Sequence, residues 1–284
     1  MRKLIFMMML VSALGVSAVS RITSPSGELL LNVDIDADGS LCYSLDYKGS
    51  SLVKESRLGL VSDEADFTHG FKIAGTDTLS VDRTWKPIWG EYETVRDNFR
   101  ELAVILKAEK PDREMTVRFR LFDDGLGFRY EFPAQRGSSN YLTVRDEKTE
   151  FNFTGDHTLF CIPGDYDTDE YLWSETSFSG LPDALGRYRR HSEAQRTGGN
   201  TIQTPMLIKT GAPVYVNIHE AALKGYPAML LDVDTDRHAM KTHLVPDKLG
   251  VRAYLHLPFE SPWRTLIVSD DARDILASQL VLNL

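Results

Sequence analysis

Apolar and polar residues alternate in several long runs of the chain. Every second residue is apolar between positions 115 and 121, and again between positions 126 and 132. A period of two is typical of a β-strand with one buried face. The turn residues Asp123-Asp124-Gly125 separate the two runs, so this segment predicts a β-hairpin.

Shorter runs of the same kind predict further strands. They lie at residues 28–34, 102–107, 214–219, 229–233 and 264–268. Helix signals are few: Ser269 or Asp270 can cap a short helix that ends near residue 278, and residues 171–190 have room for one or two helical turns. We therefore expect an all-β fold with few short helices, in which residues 21–284 form a single large antiparallel β-sandwich.

The first twenty residues follow a different pattern. Arg2 and Lys3 precede an apolar stretch at residues 4–16, and small residues follow at 17–20. This order is typical of a secretory signal peptide, and the stretch is shorter than the roughly 20 apolar residues that span a bilayer. We expect residues 1–20 to be removed on export, which leaves no membrane segment in the mature chain.

Composition narrows the class of protein. Hydrophobic residues make up 42% and charged residues 26% of the 284 residues, as in packed globular proteins. The formal net charge of −9 argues against binding to nucleic acid, which needs a basic surface. Cys42 and Cys161 both lie in apolar runs, which favours two buried free thiols, although export permits a disulfide.

One acidic segment is the strongest candidate for chemistry. It carries four carboxylates within residues 164–171, those of Asp165, Asp167, Asp169 and Glu170. Calcium prefers oxygen ligands of this kind. The segment lacks the central glycine and the preceding helix of an EF-hand loop, and its spacing alone favours a solvated acidic loop over a metal site.

Other candidates carry weaker signals. Trp85 and Trp89 form either a sugar-stacking platform or part of the core. His219 and Glu220 are a polar pair at the end of a predicted strand, where neighbouring side chains point to opposite faces. That geometry argues against a sugar epimerase of the mutarotase type, which needs an acid and a base in one cleft. The sequence has no HExxH, GxSxG or phosphate-binding glycine motif.

Several segments together resemble the N-terminal domain of glycoside hydrolase family 97, a family of bacterial exo-acting α-glucosidases and α-galactosidases. The matching segments, in family order, are residues 84–91, 118–133, 163–171, 218–221 and 261–284. Each segment is weak alone, but the set covers almost the whole chain after residue 20. The resemblance implies a β-supersandwich similar to galactose-mutarotase-like domains, exported to the periplasm or outer surface of a Gram-negative bacterium.

The resemblance also implies a metal site shared between two domains. In the family, a (β/α)8 barrel follows the sandwich and carries the catalytic carboxylates, while a glutamate of the sandwich binds calcium at the active site. That glutamate corresponds to Glu170, which becomes the candidate calcium ligand and a candidate substrate contact. His219 and Glu220 match a family segment without an assigned role, and they are weaker candidates for substrate binding.

The chain stops at Leu284, where the family continues into the barrel, so no catalytic residue can be matched here. We expect the N-terminal sandwich of a secreted, calcium-dependent exo-α-glycosidase, inactive alone, that forms one wall of the active site. Its expected partners are an α-linked oligosaccharide and the barrel, in cis or in trans. The alternative is a free-standing sandwich that binds carbohydrate or serves as a partner subunit.

Overall fold

The computed structural model describes residues 20–135, 140–188 and 197–284. Most of these residues form short and medium-length β-strands. In chain order the strands are β1 (Ser20–Thr23), β2 (Leu29–Ile35), β3 (Leu41–Tyr47), β4 (Ser50–Leu58), β5 (Leu60–Ser62), β6 (Lys72–Trp85), β7 (Val95–Glu109), β8 (Asp112–Phe122), β9 (Gly125–Phe132), β10 (Tyr141–Glu147), β11 (Glu150–Phe153), β12 (Thr158–Cys161), β13 (Ser174–Ser177), β14 (Thr201–Gln203), β15 (Met206–Lys209), β16 (Tyr215–Ala221), β17 (Met229–Asp234), β18 (Ala239–Leu244), β19 (Ala253–His256), β20 (Phe259–Glu260) and β21 (Trp263–Ser269). The helices of the described residues are α1 (Leu181–Gly186), α2 (Ala272–Ala277) and a 3-10 turn at Val281–Asn283.

Two large antiparallel sheets face each other across one core. The first sheet has the strand order β1-β2-β3-β4-β11-β18-β17-β14, and the second has the order β13-β12-β15-β16-β21-β9-β8-β7-β6, with β20 beside β9. A third, smaller sheet has the order β19-β10-β5. Residues of both large sheets belong to one buried cluster, in which the Tyr43 and Phe128 rings lie 5.3 Å apart. The expectation of an all-β antiparallel sandwich with few short helices is confirmed.

The predicted hairpin is present as β8 and β9. The last residue of β8, Phe122, pairs with Gly125 at the start of β9. Gly125 has a positive φ of 153°, and a Cβ atom there would overlap the carbonyl oxygen of Leu266 on β21. Only glycine fits this close approach of two backbones, so the turn residue also determines how tightly β9 and β21 pair.

The predicted C-terminal helix is present, but its predicted cap was wrong. The N-cap of α2 is Asp271, whose side chain accepts a hydrogen bond from the backbone N–H of Arg273 at 2.9 Å. Ser269 is the last residue of β21, and its hydroxyl accepts from the Asp271 N–H at 3.0 Å. Ser269 still pairs with Tyr215 on β16, and the Asp270 side chain pairs with Lys48 at 2.8 Å, so neither caps the helix.

The remaining predictions on chain organisation have mixed outcomes. Helix α1 lies inside the segment expected to hold a helical turn, of which residues 189 and 190 fall outside the described part. Residues 1–19 of the predicted signal peptide also lie outside it, and Ser20 begins β1. Among the described residues, the helices are too short to span a bilayer.

Both cysteines are buried and unpaired. Cys42 lies on β3 in the first sheet, and Cys161 lies on β12 in the second. Burial raises the pKa of each thiol to about 12. Neither forms an appreciable amount of thiolate at neutral pH, so both behave as small apolar side chains.

A buried arginine on β21 joins this strand to β10 and β16. The guanidinium of Arg264, on β21, donates to Glu147 through Nε at 2.9 Å and Nη2 at 2.7 Å. Its Nη1 donates to Glu220 at 2.6 Å. The side chains of Arg264 and Glu147 are both 0% exposed. Buried charges are tolerated when they are paired and fully hydrogen-bonded, and this arginine satisfies both carboxylates at once.

Neutral groups complete the hydrogen bonds of the two carboxylates. Glu147 accepts from the hydroxyls of Tyr226 at 2.9 Å and Thr149 at 2.8 Å, while Glu220 accepts from the backbone N–H of Met229 at 3.1 Å. Burial raises the pKa of Glu147, but the Arg264 charge and these hydrogen bonds outweigh it and lower the pKa below its ordinary value. The carboxylate therefore stays ionised in the folded protein at neutral pH.

This network gives the first testable prediction. Replacing Arg264 with methionine leaves two carboxylates buried without a counter-charge, and we expect a loss of about 3–5 kcal/mol in the free energy of unfolding. Urea unfolding followed by tryptophan fluorescence measures this loss. Arg273→Met is the matched control: its side chain is 88% exposed and pairs with Asp271 at the surface, so its cost stays within about 1 kcal/mol. Equal costs for the two variants would contradict the assignment.

Candidate functional site

The acidic segment forms an ordered loop at one end of the second sheet. It joins β12 to β13, whose facing ends pair through Cys161 and Ser174. We call residues 164–171 the acidic loop. Its first residue, Gly164, donates its N–H to the carbonyl of Thr201 at 2.7 Å. A Cβ atom on Gly164 would lie 2.5 Å from the hydroxyl of Thr197 and 2.8 Å from the methyl of Thr201, so the loop begins where only glycine fits.

One of the four carboxylates holds the loop together. Asp165 is only 4% exposed, and it accepts hydrogen bonds from the N–H groups of Asp167 at 2.8 Å and Thr168 at 3.3 Å. Its second oxygen accepts from the Tyr171 hydroxyl at 2.6 Å. The buried Gln203 amide donates to the carbonyl of Thr168 at 2.7 Å. The Asp165 carboxylate is thus occupied by the loop's own donors.

Glu170 has the opposite environment. Its backbone N–H donates to the Thr168 hydroxyl at 3.1 Å, while its side chain is exposed. Its carboxylate has no hydrogen bond or ion pair with any other residue in the described parts of the chain. The neighbouring carboxylates Asp167 and Asp169 are exposed as well. The loop therefore presents Glu170 to the solvent from a fixed backbone.

The donor set fits calcium in kind but not in number. Carboxylate oxygen is the ligand that calcium prefers, and a full site needs about six to eight oxygen atoms. Within residues 20–135, 140–188 and 197–284 there is no group of three His, Cys, Asp or Glu side chains arranged to hold a metal ion. Glu170 can thus supply one ligand to a site whose other ligands come from elsewhere.

Apolar side chains border Glu170 on its C-terminal side. Leu172 is exposed, and the Trp173 side chain is 57% exposed. The Tyr171 ring packs edge-on against the Tyr188 ring, with centroids 5.5 Å apart. An exposed apolar pair beside an exposed carboxylate is typical of a surface that meets another molecule or domain.

The acidic loop also contacts His243 through Tyr166, a contact that the sequence did not predict. The hydroxyl of Tyr166 lies 2.7 Å from Nε2 of His243, and the two rings stack with centroids 5.9 Å apart. Nδ1 of His243 lies 3.1 Å from both carboxylate oxygens of Asp232. Asp232 lies on β17 and His243 on β18. The strand pattern around Asp232 was visible in the sequence, but no local signal linked it to residue 166.

His219 and Glu220 lie on β16 and face opposite sides of the sheet, as their spacing predicted. Glu220 is buried against Arg264 and the Met229 N–H, which gives it a structural role. His219 is half-buried on the other face, and burial lowers its pKa although Glu220 opposes the shift. Neither side chain has a described contact with Glu170. Their assignment to substrate binding stays a prediction.

The two tryptophans of the proposed platform differ. Trp85 is the last residue of β6, and its ring N–H donates to the side-chain oxygen of Asn283 at 2.8 Å. This bond joins β6 to the C-terminal segment. Trp89 lies in the following loop and is 87% exposed. Seven strand pairings separate β6 from β12 in the second sheet. Trp89 and the acidic loop therefore follow strands that lie far apart across the sheet, and they do not form one site.

Comparisons with known proteins place this large β-sandwich among the domains of glycoside hydrolases. Three comparisons agree on this class. The family model for the N-terminal domain of glycosyl hydrolase family 97 matches residues 22–284. The chain belongs to this family, which confirms the resemblance seen in the sequence.

Solved and curated relatives agree with the family. A glycoside hydrolase family 97 enzyme from Pseudoalteromonas sp. strain K8, solved in complex with panose, shares 30% identity and a TM-score of 0.81, over 93% of this chain and 38% of that one. The same enzyme has been solved with acarbose. A probable retaining alpha-galactosidase of Streptomyces bingchenggensis (strain BCW-1) is 24% identical over 264 residues, which is 90% of this chain and 35% of that protein.

A further solved relative extends the likeness in fold. A beta-arabinopyranosidase matches with a TM-score of 0.76 and 24% identity, over 88% of this chain and 40% of that one. This likeness concerns the fold alone. The chain thus spans roughly two fifths or less of the length of these relatives.

Proposed function

We propose that this chain is the N-terminal sandwich of a secreted, calcium-dependent exo-α-glycosidase that acts on α-linked oligosaccharides of the α-glucoside or α-galactoside type. The carrying observation is the Glu170 carboxylate, which is exposed, has no partner among the described residues and lies on a loop whose backbone is already fixed. Membership of the family supports the reaction class. The complexes of the Pseudoalteromonas enzyme with panose and acarbose support the substrate class.

In this proposal the catalytic carboxylates belong to a second domain, while the sandwich supplies a calcium ligand. Glycoside hydrolysis needs two carboxyl groups on either side of the scissile bond. Glu147 and Glu220 are close together in this chain, but both carboxylates are buried and paired with Arg264, so they are not placed as a catalytic acid and base. The catalytic pair would come from a (β/α)8 barrel, in cis or in trans. Leu172 and Trp173 would contact the barrel and form one wall of the active site with Glu170.

Calcium would be shared between the two domains. When bound, the ion would polarise or orient an oxygen of the sugar as a Lewis acid. Glu170 supplies the ligand from this side, and Asp165 holds the backbone that carries it. His219 and Glu220 remain weaker proposals for contacts with the substrate.

Export is part of the same proposal. The basic pair Arg2 and Lys3, the apolar residues 4–16 and the small residues 17–20 support a signal peptide at residues 1–20. Residues 21–284 would then form the mature sandwich domain. A periplasmic or outer-surface location would bring this domain to oligosaccharides outside the cytoplasm.

The calcium proposal predicts a specific effect of Glu170→Gln. In the polypeptide that contains both domains, we expect the free calcium concentration for half-maximal activity to rise at least about tenfold. Loss of a residue that only supports a metal ligand already lowers metal affinity by about that factor, and loss of a ligand itself should lower it at least as much. Hydrolysis of aryl α-glucosides and α-galactosides in chelator-buffered calcium measures this. Asp169→Asn is the matched control, since it removes an exposed charge one residue away. Equal calcium dependence in both variants would refute the role of Glu170.

The division of labour predicts that the 284-residue chain expressed by itself does not hydrolyse glycosides. Among the described residues, Glu147 and Glu220 are both paired with Arg264, so neither is available as the acid or the base that must flank a glycosidic bond. The measurement is release of nitrophenol from aryl α-glycosides, with and without calcium. Turnover above the rate measured without protein would overturn this proposal.

The exposed Trp89 favours a second candidate, a free-standing carbohydrate-binding sandwich. An exposed indole can stack on the face of a sugar ring. Under this function, calorimetric titration of the chain with millimolar maltose should release heat, and Trp89→Ala should abolish it. Trp173→Ala, which removes an exposed tryptophan next to the acidic loop, is the control and should leave the heat unchanged. Absence of heat with the unaltered chain would rule out this candidate for maltose.

A further inference from the structure

The acidic loop is attached to the first sheet at three points, one of which is the hydrogen bond from Gln203 on β14 to the Thr168 carbonyl described above. Its first residue, Gly164, donates its N–H to the Thr201 carbonyl at 2.7 Å. Two residues later, the Tyr166 hydroxyl reaches Nε2 of His243 at 2.7 Å. Thr201 lies on β14 and His243 on β18, on either side of β17 in the same sheet. The loop that crosses the end of one sheet is therefore fastened to the other.

A chain of hydrogen bonds fixes the orientation of His243. Nδ1 lies 3.1 Å from both oxygens of the Asp232 carboxylate, which can only accept, so Nδ1 donates to Asp232 and the ring is held with Nε2 facing the Tyr166 hydroxyl. Asp232 also accepts from the Thr201 hydroxyl at 2.6 Å. Burial raises the pKa of Asp232, but the hydrogen bonds from His243 and Thr201 outweigh it and lower the pKa. Thr201, Asp232 and His243 lie on the neighbouring strands β14, β17 and β18. The imidazole ring that meets the Tyr166 hydroxyl is therefore held rigidly.

We propose that Tyr166, His243 and Asp232 are positioning residues that hold the acidic loop in the conformation that presents Glu170. This inference rests on the proposed role of Glu170 as a calcium ligand. A loop that is ordered before the metal arrives loses no conformational freedom on binding. Loss of the contact should therefore weaken calcium binding and leave the turnover of the calcium-saturated enzyme largely intact.

Tyr166→Phe tests the contact directly, because it removes the hydroxyl and keeps the stacked ring. The backbone N–H groups of Asp167, Thr168, Glu170 and Tyr171 all have acceptors inside the loop. In hydrogen exchange measured by mass spectrometry on the whole native polypeptide, we expect these amides to exchange roughly threefold to tenfold faster, as for the loss of one hydrogen bond. Amides of β16 and β21 should not change.

Two further variants serve as controls. Tyr254→Phe removes a comparable bond, from the Tyr254 hydroxyl to Asp247 at 3.0 Å, and should leave exchange in the acidic loop unchanged. His243→Phe removes the Tyr166 bond from the other side. The double variant Tyr166→Phe/His243→Phe should expose the loop no more than His243→Phe alone, because both changes delete the same bond. Unchanged loop exchange in Tyr166→Phe would overturn the proposal.

Calcium titration separates this proposal from the one on which it rests. We expect Tyr166→Phe to raise the half-saturating calcium concentration several-fold while turnover at saturating calcium stays near that of the unaltered enzyme. Faster loop exchange with unchanged calcium dependence, where Glu170→Gln does alter it, would refute the positioning role. If Glu170→Gln has no effect, the calcium proposal fails, and the exchange data still decide whether the contact holds the loop.

Discussion

The need to neutralise one buried guanidinium constrains much of this fold. Arg264 is removed from water, so its charge must be met by carboxylates at hydrogen-bonding distance. Glu220 lies directly across from it on β16, and Glu147 ends β10 in the small sheet. Because Glu220 and Arg264 are cross-strand partners, a one-residue slip between β16 and β21 would direct them to opposite faces. The ion pair therefore determines the register of two central strands and joins the small sheet to the core.

The strand pattern could be predicted because it is local. Alternation along β8 and β9, with Asp123 and Asp124 between them, contains all the information that a hairpin needs. The charged core could not be predicted in this way. Arg264 and Glu147 are 117 residues apart in the sequence, and each looks like an ordinary outward-facing polar residue of its strand. Only the packing of three sheets shows that both point inward.

Contacts between residues distant in the sequence could not be predicted at the candidate site either. The sequence indicated a run of carboxylates and, through the family, selected Glu170 among them. It did not show that Asp165 turns inward to bind the loop's own N–H groups while the Glu170 side chain stays exposed. Nor did it connect Tyr166 with His243, which lie 77 residues apart. Similar side chains acquire different roles according to the hydrogen bonds that the surrounding backbone offers.

The two cysteines have a consequence for how such a domain matures. Cys42 and Cys161 lie on different sheets as buried thiols with a pKa of about 12. Neither thiol is exposed or acidic enough to react readily with oxidants or with other disulfides. The covalent structure is therefore the same in a reducing and in an oxidising compartment. Folding on either side of a membrane requires neither a thiol oxidase nor a disulfide isomerase.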